Sequence, residues 1–110
     1  MGSYYDREHL AHFGSISDHA PELGEKFFAW YGAVFEDGAL TSREKSLIAL
    51  GVAHAVQCPY CIEAYTKDAL SRGCDVEQLT EVVHVSSAIK GGAALVHGMQ
   101  MRGVADELGM

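Results

Sequence analysis

Apolar positions recur three and four residues apart along nearly the whole chain, and no stretch alternates apolar and polar residues between turn signals. That period is helical, so the pattern predicts an all-α protein without strands. A short amphipathic opening runs from Tyr4 to Phe13 and stops at Gly14. Asp18, Pro21 and Glu22 then start a second helix, because proline is tolerated in a first turn. Its apolar face carries Leu23, Phe27, Phe28, Trp30, Tyr31, Val34 and Phe35, and Glu36-Asp37-Gly38 closes it.

Thr41, Ser42, Arg43 and Glu44 have the form of a capping box, in which the hydroxyl serves an orphan amide and the glutamate reaches back. A third helix follows with Leu47, Ile48, Leu50, Val52, Ala53 and Val56. Proline removes a hydrogen bond inside a helix, so Pro59 predicts a break near Gln57-Cys58 and a restart with Pro59 at the first helical position. That fourth helix reaches Arg72 and ends at Gly73. Asp75 and Gln78 form a second N-cap signal, opening a fifth helix with Leu79, Val82, Val83, Ser86 and Ile89. Gly91-Gly92 predicts a kink or a close helix approach, with a last helix over about 93–108. The expected architecture is a single-domain helical bundle of about six helices spanning 1–110.

At 110 residues, 48% hydrophobic and 21% charged, the composition is that of an ordered globular domain. The formal net charge of −7 gives no basic surface for a nucleic acid or an anionic membrane. No apolar run approaches the roughly 20 residues of a membrane span. The start of the chain mixes charge with aromatics and lacks a signal-peptide core, so a cytoplasmic protein is expected. In that setting the 3 cysteines read as thiols, not as a structural disulfide framework.

Cys58-Pro59-Tyr60-Cys61 carries the chemistry. Residues three apart on one helical turn are close enough to form a disulfide with little strain. A cysteine at a helix N-terminus has its thiolate favoured by unpaired amides and the helix dipole. Structural zinc needs four ligands, and His54 and His84 would complete a site only by long-range coincidence. Two inert buried thiols are the other bland alternative. Position at a helix start favours a reversible dithiol switch over both, with no cofactor and no metal. Cys74, beside Gly73, reads as a small apolar plug. His54, four residues before Cys58, shares a face with it if the helix persists that far, and would then accept its proton. Tyr65, four residues after Cys61, can present its hydroxyl to the same sulfur. His84 and His97 are weaker candidates, and His9, His12 and His19 read as surface or cap residues.

The segment LIALGVA at 47–53, the CPYC motif at 58–61, and Ala69-Leu70 with Gly73 resemble the carboxymuconolactone decarboxylase superfamily. Within it, the CxxC in this helical context looks like the alkyl hydroperoxidase D branch. The resemblance covers about 20–105 and implies an all-helical fold and a homo-oligomer, a trimer or hexamer. It also implies reduction of a peroxide or other small oxidant, with an external dithiol as reductant. The branch pattern has a glutamate twelve residues before the first cysteine, CxHC or CxxC, then a histidine four residues after the second. Here Ser46, Tyr60 and Tyr65 stand at those places, so the dithiol is present and the usual proton relay is not. Glu44 lies about 200° round the helix from Ser46 and is no simple substitute. QCPYCIEAYT at 57–66, Tyr4-Tyr5-Asp6 and GGAALVHG at 91–98 resemble a narrower subgroup, the peroxidase-like proteins associated with arsenosugar biosynthesis. Helix-end physics favours Cys58 as the attacking sulfur, whereas the branch pattern maps that role to Cys61; the assignment stays open at this point. A redox sensor, or a binder of a soft thiophile such as arsenite, is the alternative use of the same pair.

Overall fold

In the computed structural model, which describes residues 4–110, the elements are α1 (Arg7–Ala11), a 3₁₀ helix (Phe13–His19), α2 (Pro21–Val34), α3 (Ser42–Ala55), α4 (Pro59–Ser71) and α5 (Val76–Glu107). Among the described residues there is no strand. The all-α expectation holds, and six helical segments are present, though not the six expected. The opening helix is shorter than the periodicity suggests, and Gly14 lies inside the 3₁₀ helix instead of ending an element. Gly91 and Gly92 interrupt nothing: α5 is one helix of 32 residues. A Cβ at either glycine would meet no neighbouring atom, so close approach within the chain does not explain them.

Local chemistry sets most boundaries. Thr41 accepts from the Glu44 amide at 3.0 Å while Glu44 Oε1 accepts from the Thr41 amide at 2.8 Å, the expected capping box. Asp75 and Gln78 repeat the arrangement at the start of α5. Gly73, at φ 86°, ends α4 in a Schellman turn: the Cys74 amide reaches the Ala69 carbonyl at 3.1 Å and the Gly73 amide the Leu70 carbonyl at 3.1 Å.

α3 packs against α4 on one side and α5 on the other. The core lies at that junction, where Leu50, Ala69, Cys74 and Leu79 are buried and Leu47, Tyr65 and Val82 cover them. Cys74 is thus the apolar plug its position suggests. Ser86 Oγ donates to the Gly51 carbonyl at 3.1 Å and Arg43 to Gln78 Oε1 at 3.1 Å, fixing the register of α5 on α3.

α2 is tied on by polar contacts at its C-terminal end. The Ser42 amide donates to Asp37 Oδ1 at 2.7 Å, Ser42 Oγ to the Phe35 carbonyl at 2.7 Å, and Lys45 Nζ to the Glu36 carbonyl at 2.6 Å. These bonds bring Tyr31 and Phe35 over α4. The 3₁₀ helix packs on the N-terminal half of α2, with Phe13 against Phe27 and Phe28, while Trp30 and most of α5 remain in solvent.

Candidate functional site

Cys58 is placed by two helix ends at once. α3 closes in a Schellman turn in which Gln57 takes the left-handed conformation at φ 58°, its amide donating to the His54 carbonyl at 3.2 Å. The next amide, that of Cys58, donates to the Ala53 carbonyl at 3.0 Å. Cys58 is then the N-cap of α4, with Pro59 at N1. Its sulfur does the work that an oxygen usually does there, accepting the Cys61 amide at 3.3 Å. The break and restart expected around Gln57-Cys58 are both present.

The two sulfurs stand 2.8 Å apart, both half-buried, and all three cysteines are free thiols. Their electrostatics diverge. A hydrogen bond from Cys61 favours the Cys58 thiolate; with the amides of Cys61 and Tyr60 assisting, it outweighs burial and lowers the Cys58 pKa. Burial and the neighbouring Cys58 charge push the Cys61 thiol up to about 11. The pair is therefore asymmetric: Cys58 is the sulfur favoured as thiolate and Cys61 the one favoured as thiol.

Cys61, but not Cys58, lines an apolar cleft of about 480 Å³ between α2, α3 and α4. Its walls include Val34, Leu40, Ile48, Val52 and Val56. Lys45 also borders it, but its ammonium is bonded to the Glu36 carbonyl. Tyr31 and Tyr65 complete the lining, and their hydroxyls are hydrogen-bonded to each other. The Tyr65 ring stacks on Phe35, centroids 5.2 Å apart and planes at 21°. Tyr31 packs against Phe35 at 5.2 Å and Phe27 at 5.5 Å. Burial, then the charges on Cys61 and Cys58, raise the Tyr31 pKa, so Tyr31 stays protonated and within electrostatic reach of both sulfurs.

The other sequence candidates divide. Tyr65 lines the same cleft as Cys61, with its hydroxyl bonded to that of Tyr31. His54 lies in the last turn of α3, which ends at Ala55, and its Nδ1–H donates to the Leu50 carbonyl at 2.9 Å. The shared helix face on which its role depended ends before Cys58. His84 and His97 are exposed on α5. Among the described residues no group of three or more His, Cys, Asp or Glu is placed to hold a metal ion. Ser46 is fully buried, and a hydroxyl there cannot take up a proton as a carboxylate would.

Two features were missed. Tyr31 reads in sequence as one more aromatic on an apolar stripe, and only a hydroxyl on that face hinted at a polar partner. The other is what the exposed His9 touches: its Nδ1 lies 3.2 Å from the hydroxyl of Tyr60, while the Tyr5 ring meets the Tyr60 ring edge-on at 5.6 Å. Arg7 pairs with Glu63 at 2.6 Å. The N-terminal segment is thereby docked on α4, at Tyr60 inside the CxxC motif and at Glu63 two residues past it.

Fold and site together define an all-helical protein that presents a dithiol at a helix N-terminus beside an apolar cleft. The sequence profile of the carboxymuconolactone decarboxylase family matches residues 21–101, and the chain belongs to that family. It is 40% identical over 98 residues to "uncharacterized protein 4 in cox locus" of Paracoccus denitrificans, covering 89% of this chain and 88% of that one. An uncharacterized protein of Cupriavidus necator is 28% identical over 96 residues, covering 87% and 85%. A crystal structure from Methanobacterium thermoautotrophicum superposes with a TM-score of 0.75 at 31% identity, covering 78% of this chain and 97% of that chain. The apo form of a carboxymuconolactone decarboxylase family protein from Legionella pneumophila gives 0.68 at 26% identity, covering 94% and 97%.

Proposed function

We propose that this protein is a dithiol oxidoreductase of the alkyl hydroperoxidase D type, reducing a peroxide through a reversible Cys58–Cys61 disulfide in the cytoplasm. The observation that carries this reading is the pair of sulfurs 2.8 Å apart at the start of α4, one favoured as thiolate and the other as thiol. A thiolate sulfur attacks the peroxide, the O–O bond breaks, and the sulfur becomes a sulfenic acid while an alcohol leaves. The second sulfur displaces water from the sulfenic acid to close the disulfide. Over both steps one thiolate, one thiol, one hydroperoxide and one proton yield a disulfide, an alcohol and water. An external dithiol then exchanges with the disulfide, returning two electrons and two protons and leaving as its own disulfide.

A homo-oligomer is part of the proposal, three or six copies by the family resemblance. Its support is the surface of the single chain. A radius of gyration of 18.8 Å compares with about 13 Å for a compact domain of this length, and 8473 Å² of accessible surface with about 6,000 Å². Among the described residues no helix is long and apolar enough to cross a membrane, so the exposed apolar faces call for protein partners.

The reduced protein should lose two free thiols per hydroperoxide added, and recover them with a small dithiol. The double variant Cys58→Ser/Cys61→Ser should consume none. Equal consumption by that variant would overturn the assignment. A disulfide that forms once but is not cycled by dithiols would favour a redox sensor, and thiols protected by arsenite without peroxide chemistry would favour a thiophile binder.

A further inference from the structure

Breaking an O–O bond leaves an oxyanion that needs a proton, and among the described residues no histidine or carboxylate lines the cleft that Cys61 faces. Apart from Cys61 itself and the Lys45 ammonium, which is committed to the Glu36 carbonyl, its polar side-chain groups are the two tyrosine hydroxyls. They are bonded to each other, so one hydrogen holds the pair together and the second is free to point at an acceptor in the cleft. Both rings pack against Phe35, which positions the hydroxyls before any substrate enters.

Resting on the peroxide reading above, we propose that the hydroxyl pair of Tyr31 and Tyr65 is the proton donor of the oxidation half-reaction, delivering a proton to the oxygen that leaves as Cys61 is oxidised. The steps balance as follows. Cys61 passes its proton to the Cys58 thiolate and attacks the terminal oxygen of the hydroperoxide. The S–O bond forms, the O–O bond breaks, and the alkoxide takes a proton from the tyrosine pair and leaves as alcohol. The resulting tyrosinate recovers a proton from the Cys58 thiol. Cys58, again a thiolate, attacks the sulfenic sulfur of Cys61; the departing hydroxide takes the pair's proton and leaves as water, and solvent restores that proton. Tyr31 is suited to this because its burial and the neighbouring thiols keep it neutral, a donor at every pH at which the thiolate exists near neutrality. A neutral hydroxyl pair thus stands where a charged relay would otherwise be needed.

The test compares two oxidants in single-turnover loss of free thiols by the wild type, Tyr31→Phe, Tyr65→Phe and the double variant. tert-Butyl hydroperoxide expels a strongly basic alkoxide that needs a proton; peracetic acid expels acetate, which does not. The double variant should lose roughly 10²-fold or more in rate constant with tert-butyl hydroperoxide, the usual scale for a general acid, and little with peracetic acid. Equal losses with both oxidants would mean that the tyrosines only pack the site, and the proposal falls. Wild-type rates in all variants also overturn it while leaving the peroxide reading intact. Wild-type thiols that survive tert-butyl hydroperoxide overturn both together.

Discussion

The amide of Cys58 donates to the carbonyl of Ala53 at 3.0 Å, so the last turn of α3 fixes the sulfur that begins α4. The bond exists because Gln57, between them in space, adopts φ 58°. A residue with a Cβ is held there at a cost of about 1–2 kcal/mol. The placement of the Cys58 sulfur is thus a property of a helix end as much as of the CxxC motif.

That dependence is open to measurement at Gln57. Replacing it by valine puts a β-branched side chain in the left-handed region, where it fits worst. Gln57→Val should lower stability in urea by about 1–2 kcal/mol and raise the Cys58 thiol pKa as the turn loosens. Gln57→Gly should keep the ordinary turn and leave the thiol as it is. A valine variant with unchanged stability and thiol reactivity would show that the turn does not position the sulfur.

The two thiols should separate in a pH titration. Iodoacetamide reacts with thiolate, so Cys58 should be alkylated with a midpoint below that of an ordinary thiol and Cys61 with a midpoint near 11 in the reduced protein. The linkage to stability follows with opposite signs. The depressed Cys58 value contributes stability above the unfolded thiol pKa, and that contribution is lost as pH falls through the folded value. The raised Cys61 value contributes below the unfolded pKa and is lost as pH rises towards about 11. Cys58→Ser keeps an N-cap acceptor and should fold like the wild type, with the Cys58 contribution gone and the upward shift of Cys61 reduced to what burial supplies. Equal midpoints for the two cysteines would refute the asymmetry.

What could be read beforehand has a physical dividing line. Caps and breakers act within a few residues, so Thr41, Pro59, Gly73 and Asp75 announced the ends of their helices, and the CxxC spacing announced two sulfurs held 2.8 Å apart. Gly91-Gly92 misled because glycine permits a break without requiring one, and α5 runs through it. Tyr31 and Tyr65 are 34 positions apart, and their meeting depends on how Asp37, Ser42 and Lys45 fold the connection back, which no local pattern encodes. The shared face expected of His54 and Cys58 is absent for a local reason: the helix stops at Ala55.

Gly24 sets two effects against each other. It lies inside α2, where alanine is favoured over glycine by roughly 0.5–1 kcal/mol. A Cβ there would overlap the Ser17 side chain and lie 3.0 Å from Ser17 Cα, where the 3₁₀ helix crosses α2. Backbone does not give way as a flexible side chain does, so the clash outweighs the propensity. Gly24→Ala should therefore be destabilising by about 1–3 kcal/mol, read as a lower urea midpoint. A stabilised variant would mean that the 3₁₀ helix moves freely on α2.

Assembly should be severed at α5 without touching the dithiol. Ile89 and Leu95 are 70% and 80% exposed in the single chain, and Trp30 on α2 is 64% exposed. Burial of such side chains against another copy is worth about 1.5–3 kcal/mol each, and a closed assembly repeats that gain in every copy. A glutamate in the same place must either lose its hydration or keep the copies apart. Ile89→Glu/Leu95→Glu should therefore shift sedimentation from the oligomer to the monomer at micromolar concentration. The core at Leu50, Ala69, Cys74 and Leu79 is small, so the separated chain should also melt at a lower temperature. A wild-type chain that sediments as a monomer would leave those apolar faces without an occupant and remove the oligomer from the proposal.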